Sequence, residues 1–181
     1  MFDNVFYQIG AILGRFERKF RHREMDNLVD DNDTVDVLLF GLGRFGSTLA
    51  NMLRERGCHL LAIDFDPAAV RLHEREGYRA RYGDAEDPEF IATLPLERVA
   101  WVVSTLRDRV LNRALLQGLK QQSFRGKVAV SSSTRHEADG FRQNGVDLVL
   151  VPYADAAKEA ADKLVRECRR HYDNQSLGVG V

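Results

Sequence analysis

The chain has 181 residues, of which 44% are hydrophobic, and a formal net charge of −1 at pH 7. This length supports one sizeable core, and the near-neutral charge argues against the basic surface that nucleic-acid binding requires. Cys58 and Cys168 match no metal or redox spacing, so they are expected to be free thiols in a reducing compartment. No apolar stretch approaches the length of a membrane span, and no signal peptide is evident.

The N-terminal part of the chain has two segments of contrasting pattern. Residues 1–24 place hydrophobic side chains at helical spacing and end in a basic cluster, which predicts an amphipathic helix. Its apolar positions are Val5, Phe6, Ile9, Ile12, Leu13, Phe16 and Phe20. Residues 25–34 are rich in aspartate and too polar to pack, so they are predicted to form an acidic linker.

A glycine-rich loop follows the first predicted strand, Val35–Phe40. Gly41, Gly43 and Gly46 have the G-x-G-x-x-G spacing, and a helical pattern starts at Phe45. In this motif the first glycine allows a tight turn, the second lets a phosphate approach the backbone, and the third lets the helix pack closely. The free N–H groups of that helix predict an anion site. Arg44 is either a phosphate contact or a solvent-exposed side chain.

The second predicted strand, Leu60–Asp64, ends in a carboxylate. Asp64 lies 18 residues after Gly46, close to the roughly 20 residues expected of an acid that binds a ribose. We therefore predict that Asp64 accepts hydrogen bonds from ribose hydroxyls and repels a 2′-phosphate. Asp66 precedes Pro67 and is predicted to cap the next helix. The alternative is that both acids are only turn residues.

Strands and helices alternate from Val35 to about residue 172. The further predicted strands are Tyr78–Tyr82, Val99–Thr105, Lys127–Ser132 and Leu148–Val151. The predicted helices are Phe45–Arg56, Pro67–Glu76, Pro88–Leu94, Arg109–Gln122, Arg135–Asn144 and Ala154–Tyr172. Continuous apolar strands between helices predict an α/β fold with a doubly wound parallel sheet, Rossmann-like, in the order 3-2-1-4-5-6. Residues 35–155 are predicted to form this domain, and residues 156–181 a C-terminal helix and tail.

Two further strand ends face the predicted ligand crevice. Gly83, Asp84 and Ala85 follow the third strand, where an adenine would lie, although a helix-capping turn explains the same residues. Ser104 and Thr105 end the fourth strand opposite the glycine loop. Their hydroxyls are predicted to meet a phosphate or a second ribose, and the alternative is a polar strand terminus.

Three motifs now carry a resemblance to a known family. Val-Leu-Leu-Phe-Gly-Leu-Gly-Arg-Phe-Gly, Ala-Ile-Asp-Phe-Asp-Pro and Tyr-Gly-Asp-Ala occur in this order. In this combination, residues 35–155 resemble the RCK N-terminal domain (TrkA-N or KTN), which regulates potassium channels and transporters. The Gly-Arg-Phe-Gly variant is most similar to the cytosolic regulatory domains of Kef-type cation/proton antiporters.

The resemblance implies a homodimeric domain whose cofactor is NAD(H), AMP or another adenine nucleotide. It implies a phosphate site lined by Gly41, Gly43, Arg44, Phe45 and Gly46. It places the ribose at Asp64, next to Phe65, and the adenine beside Gly83, Asp84 and Ala85. One departure concerns the end of the fifth strand, where many members have an arginine and this chain has Ser131-Ser132-Ser133. Recognition of a second phosphate is therefore expected to be weak, unless Arg107 or Arg109 replaces that arginine.

The function predicted from this resemblance is regulatory. The domain would sense a nucleotide and gate a membrane-embedded cation transporter, at the cytoplasmic face of the cell membrane. In that setting residues 1–24 would connect the domain to the membrane or the transporter, or else pack on the domain or its dimer partner. The alternative is a stand-alone NAD-dependent oxidoreductase, but no histidine has an evident catalytic partner. A short-chain reductase is excluded because no tyrosine is followed four residues later by lysine.

Overall fold

The structure is a computed structural model that describes residues 34–177. The predicted helix of residues 1–24 and nearly all of the predicted linker lie outside these residues. The described residues up to Val151 form one compact unit, and the last helix belongs to a second unit. The predicted domain boundaries at residues 35 and 155 stay a prediction.

Six strands and six helices alternate in this part of the chain. The strands are β1 (Val37–Phe40), β2 (Leu60–Asp64), β3 (Ala80–Tyr82), β4 (Trp101–Ser104), β5 (Lys127–Ser131) and β6 (Leu148–Leu150). The helices are α1 (Arg44–Glu55), α2 (Pro67–Arg75), α3 (Pro88–Ala92), α4 (Arg109–Gln121), α5 (Arg135–Gln143) and α6 (Pro152–Leu177).

All strand pairs of the sheet are parallel, and the strand order is β3-β2-β1-β4-β5-β6. This confirms the predicted doubly wound fold and its order. All four residues of β1 are buried, as expected for a central strand that helices cover on both faces. The order reverses at β1, so the loops after β1, β2 and β4 meet at the carboxyl edge of the sheet, where open α/β sheets bind ligands.

One hydrophobic cluster packs α3 and α4 against the sheet. Its largest fully buried members include Phe40, Ile63, Ile91 and Leu115. Leu115 and Leu119 of α4 are buried in this cluster, so their side of the helix covers the sheet. The cluster fixes the ends of β1 and β2 and thereby the loops that follow them.

The ends of some elements differ from the prediction. β3 begins at Ala80 and not at Tyr78, because the Tyr78 N–H donates to the carbonyl of His73 at the end of α2. Gly77, with φ of +80°, turns the chain there. α6 begins at Pro152, two residues before the predicted start, since proline suits the first turn of a helix.

Within residues 34–177, no helix is both long and apolar enough to cross a membrane.

Candidate functional site

The glycine loop makes a tight turn between β1 and α1. Gly41 has φ of +93°, a conformation that favours glycine, and its N–H donates to the Ile63 carbonyl at 2.8 Å. A methyl group at Gly46 would overlap the Gly41 carbonyl oxygen, so the first turn of α1 packs directly on the loop. A methyl group at Gly43 would meet no atom within 4 Å. The loop is therefore closed toward the sheet and open at Gly43.

The N terminus of α1 has no side-chain cap. Gly43 occupies the N-cap position, and the first turn contains no acidic residue. The next four helices are capped by side chains that accept from backbone N–H groups, namely those of Asp66, Asp87, Asp108 and Thr134. The first N–H groups of a helix have no partner inside the helix. Those of α1 are thus available to an anion, which the helix dipole also favours.

Asp64 lies beside this open helix end. Its Oδ2 accepts from the Leu42 N–H of the glycine loop at 2.6 Å, and its Oδ1 accepts from the Asp66 N–H at 2.8 Å. The side chain is only partly buried. A carboxylate has about four acceptor positions, so two remain for hydroxyl groups of a ligand. Asp64 therefore holds the loop in place and keeps acceptor capacity at its edge.

A cavity of about 190 Å³ opens at this point, and we call it the glycine-loop crevice. Of the predicted site residues, it brings together Gly41, Asp64, Phe65, Gly83, Asp84 and Ala85. Phe65 is 65% exposed at its rim. Glu86 and Leu111 also line it and were absent from the predicted site, because only the folded loops bring them there.

The end of β3 is held by its own backbone contacts. The Gly83 N–H donates to the Asp64 carbonyl at 3.0 Å, and a methyl group at Gly83 would overlap the ring of Phe90. Asp84 is exposed, and its Oδ1 accepts from the Glu86 N–H at 2.9 Å. The helix cap in this segment is Asp87. Asp84 thus stabilises a turn and also faces the crevice, and its contact with an adenine stays a prediction.

The hydroxyls of Ser104 and Thr105, at the end of β4, form hydrogen bonds with the backbone. Ser104 is fully buried, and its Oγ accepts from the Leu106 N–H at 3.3 Å. The Thr105 hydroxyl lies 3.1 Å from the Phe40 carbonyl and 2.9 Å from that of Gly41. Neither residue lines the crevice. In this arrangement both hydroxyls support the loop, and their predicted contact with a ligand stays a prediction.

Four predicted residues lie at the loop and outside the cavity lining. Gly43 and Arg44 are exposed, Phe45 is partly buried and Gly46 is buried, and all four belong to the first turn of α1 or its cap. The cavity lining itself carries the carboxylates of Asp64, Asp84 and Glu86. Hydrogen-bond donors for an anion at the loop therefore stand next to acceptors for hydroxyl or amino groups, an arrangement that suits a nucleoside phosphate.

Both cysteines are free, as the sequence predicted. Cys58 is buried, and burial together with the charge of Asp36 raises its pKa to about 11. Since the thiolate is the reactive form, this thiol is inert at neutral pH. Among residues 34–177, no group of histidine, cysteine and carboxylate side chains is arranged to hold a metal ion.

A second, wider groove of about 930 Å³ lies between α4 and α5. Its walls mix basic side chains of α4, such as Arg109 and Arg113, with Asp139 and His136 of α5. Val110, at the start of α4, is 65% exposed. This groove shares no lining residue with the glycine-loop crevice.

Comparison with known proteins gives one family and several related structures. The model of the TrkA-N domain family matches residues 37–152. The Ktr system potassium uptake protein C of Bacillus subtilis (strain 168) is 24% identical over 130 residues, which are 72% of this chain and 59% of that protein. This chain thus spans less than two thirds of that relative's length.

Two solved structures share the fold. The NAD(P)-binding domain of an exopolyphosphatase-related protein from Archaeoglobus fulgidus is 28% identical, with a TM-score of 0.65 over 74% of this chain and 98% of the other. The Kef C-terminal domain of Shewanella denitrificans, in its AMP-bound form, is 20% identical, with a TM-score of 0.60 over 78% and 94%. The family match covers more than half of the chain and includes the strands, the glycine loop and the crevice. The chain therefore belongs to the TrkA-N domain family.

Proposed function

We propose that this chain is a nucleotide-sensing regulatory domain that binds NAD(H) or AMP in the crevice and gates potassium or cation/proton transport. One observation carries the proposal: the helix end without a cap, at Gly43, and the Asp64 carboxylate lie at the same glycine loop. The names of the relatives support it. They describe a potassium uptake protein, an NAD(P)-binding domain and an AMP-bound Kef domain.

In the proposed complex each part of the nucleotide meets a matching group. A phosphate accepts from the N–H groups of the first turn of α1, with Arg44 beside it. The ribose hydroxyls donate to Asp64, and the adenine lies between Phe65 and the Gly83–Ala85 turn. Asp64 repels a 2′-phosphate, so NADPH is expected to bind much more weakly than NADH.

The regulatory mechanism is a shift between two arrangements of the domain. A nucleotide changes that equilibrium only as far as it binds one arrangement more tightly than the other. The nucleotide contacts loops after β1, β2 and β3, so it is expected to change their relative positions. In the proposed protein this change reaches the transport pathway at the cytoplasmic face of the membrane.

A second copy of the chain is the proposed partner of the α4–α5 groove. The exposed Val110 and the opposite charges of Arg113 and Asp139 suit a contact that pairs the two helices with their symmetry mates. A membrane-embedded cation transporter, in the same polypeptide or as a separate subunit, is the further proposed partner.

The residues that line the crevice favour a regulatory role over a catalytic one. Its titratable side chains are carboxylates, and Phe65 and Leu106 supply apolar contacts. A dehydrogenase requires an acid or base positioned at the nicotinamide and a pocket for its substrate. At the end of β4, Ser104 is buried and the Thr105 hydroxyl is bonded to backbone carbonyls, and neither residue lines the crevice.

A thermal-shift experiment on the purified chain tests this function. NAD, NADH, AMP, ATP and NADPH are compared at equal concentrations, with Asp64→Ala as the site variant and Asp66→Ala as the matched control. At about 100 times the dissociation constant, binding is expected to raise the melting temperature by roughly 5–10 °C. NADH or AMP is expected to stabilise the wild-type chain, and NADPH to have little effect.

Comparing the Asp64→Ala and Asp66→Ala variants distinguishes a loss of ligand binding from a loss of helix capping. Asp66→Ala removes a cap of α2 and is expected to keep the nucleotide shift, whereas Asp64→Ala is expected to lose most of it. A wild-type chain that none of the five nucleotides stabilises would contradict the proposed function. An equal shift in Asp64→Ala would contradict the role of that carboxylate.

A further inference from the structure

A buried histidine contacts the helix that begins at the glycine loop. His73 of α2 is only 5% exposed. Its Nδ1 lies 2.8 Å from the Ala69 carbonyl oxygen, and its Nε2 lies 2.9 Å from Oγ of Ser47 on α1. Residues 47 and 73 are far apart in the sequence, so this contact exists only in the folded chain.

Ser47 extends this contact to the glycine loop. Its hydroxyl donates to the carbonyl of Leu42 at 2.8 Å. Leu42 stands between the first two glycines of the loop, and its N–H donates to Asp64. One residue of the loop is therefore held at both ends, by Asp64 at its N–H and by the Ser47–His73 pair at its carbonyl.

The hydrogen bonds that link Ala69, His73, Ser47 and Leu42 determine which charge state of the His73 ring fits them. The Ala69 and Leu42 carbonyls can only accept, so Nδ1 must donate to the first and Ser47 must donate to the second. Ser47 has one proton, so Nε2 must donate to its oxygen. All three contacts are satisfied together only when both ring nitrogens carry a proton. With a neutral ring, either two lone pairs face each other or the Leu42 carbonyl loses its donor.

The surroundings of His73 contain both favourable and unfavourable groups for that positive charge. His73 lies in the last turn of α2, where the helix dipole favours a cation. The Tyr78 ring stands edge-on at 5.4 Å, and the Arg54 guanidinium lies 4.1 Å over that ring. The positive charge of Arg54 disfavours a second cation at this place. Histidine is the side chain whose charge ordinarily changes between pH 5 and 8.

We propose that His73 and Ser47 are positioning residues that couple proton binding at His73 to the phosphate site of the glycine loop. The inference rests on the proposed nucleotide function. The protonated ring holds the Ser47 hydroxyl on the Leu42 carbonyl and so keeps the loop in its anion-binding shape. Loss of the proton frees that hydroxyl to turn toward Nε2. Nucleotide affinity is therefore expected to be higher when the ring carries both protons than when it has lost one, and nucleotide binding takes up a proton by linkage.

The test is the pH dependence of NAD affinity, measured by calorimetry at about pH 6 and pH 8. NAD is the probe because its diphosphate does not titrate in this range, unlike the phosphate of AMP, which titrates near about pH 6. The wild-type chain is expected to bind at least about fivefold more tightly at the lower pH. Ser47→Ala and His73→Gln are expected to lose this difference, and Ser47→Thr, which keeps the hydroxyl, to retain it.

Two controls distinguish a positioning role of His73 and Ser47 from a general effect of the substitutions on the stability of the chain. Thr48→Ala removes the neighbouring hydroxyl, which donates to the Arg44 carbonyl, and is expected to keep the wild-type pH dependence. Titrations at about pH 6.5 in two buffers of different ionisation enthalpy measure the proton uptake, which His73→Gln is expected to abolish. Ser47→Ala makes the test independent of whether His73→Gln folds.

The outcomes distinguish the inference from the function on which it rests. Nucleotide binding with equal affinity at both pH values, or a Ser47→Ala variant with the wild-type pH dependence, would overturn the inference and leave the nucleotide function standing. An absence of NAD binding at either pH, with AMP also failing to bind, would overturn both.

Discussion

The N termini of α1 and α2 occupy equivalent places in the fold and are built in opposite ways. Each helix follows a strand at the carboxyl edge of the parallel sheet. At α2, Asp66 accepts from the Ala68 N–H at 2.8 Å, and Pro67 fills the first helical position. At α1, Gly43 provides no side chain, and the space that one would occupy is empty. The protein caps the first N–H groups of α2 with its own side chain and gives those of α1 no side-chain cap.

The N-cap residue is the position at which α1 differs from the other helices that follow strands β2 to β5. The caps of α3, α4 and α5 follow the pattern of α2, with Asp87, Asp108 and Thr134. A side-chain cap typically stabilises a helix by about 1 kcal/mol. α1 lacks that contribution at the position where the carboxylate of Asp64 faces the loop. The missing cap is thus the feature of α1 on which the proposed anion site depends.

The largest effect is expected from Gly46→Ala. The added methyl group would overlap the Gly41 carbonyl oxygen and lie 2.6 Å from the Thr105 hydroxyl, so α1 must move away from the loop. We expect a loss of about 1–3 kcal/mol in the free energy of unfolding and no detectable nucleotide binding. Urea denaturation and calorimetry measure the two effects.

Gly140→Ala is the matched control for that variant. Gly140 lies in α5, and a methyl group there would meet no atom within 4 Å. Alanine is expected to stabilise this helix by up to about 1 kcal/mol and to leave nucleotide affinity unchanged. If Gly46→Ala behaved like Gly140→Ala, close packing between the loop and α1 would not be needed.

The next effect is expected from Gly43→Asp, which gives α1 the kind of cap that α2 has. The new carboxylate would accept from the first N–H groups of α1 and repel a phosphate. Nucleotide affinity is expected to fall by about 10- to 100-fold, while the free energy of unfolding rises by a few tenths of a kcal/mol. A variant that is stabilised and still binds with wild-type affinity would show that the ligand does not use this helix end.

Asp64→Asn is expected to have an intermediate effect. The amide keeps the size of the side chain but removes the charge, so the hydrogen bonds to the Leu42 N–H and to a ribose become weaker. We expect about tenfold weaker binding of NADH and a smaller preference for NADH over NADPH. Calorimetry with both nucleotides measures the change, and an unchanged preference would contradict the ribose assignment.

The smallest effect on binding is expected from Asp66→Ala. Loss of the α2 cap is expected to lower the free energy of unfolding by about 1 kcal/mol, with the nucleotide affinity within about twofold of wild type. This is the reverse of the result expected for Gly43→Asp. A large loss of affinity in Asp66→Ala would indicate that the position of α2, and not the open end of α1, governs binding.

Much of the fold followed from local sequence patterns. The apolar runs and the spacing of Gly41, Gly43 and Gly46 predicted the strand order, which the structure confirms. A cavity lies where the ligand crevice was predicted, and its use as a ligand site stays a prediction. Asp66 was predicted as a helix cap because Pro67 follows it, and this is also confirmed. These features depend on neighbours in the sequence, so the sequence alone suffices to predict them.

Other features depend on contacts between distant residues and were not predictable in this way. Ser104 reads as a polar strand end that faces a ligand, yet it is fully buried and bonded to the backbone. His73 is buried, and only the folded chain brings its ring to Ser47 of α1, 26 residues earlier in the sequence. Side-chain direction at a strand end and pairing across two helices are set by tertiary structure.

The most direct test of the central claim is an NMR titration of the ¹⁵N-labelled chain with AMP. Our account predicts that the largest changes in amide chemical shift occur at Arg44, Phe45 and Gly46, with smaller changes at Asp64 and Ala85. The amide of Ala68, whose N–H is already bonded to Asp66, is expected to change little. Saturable changes that avoid the first turn of α1, or that centre on the groove between α4 and α5, would contradict the account.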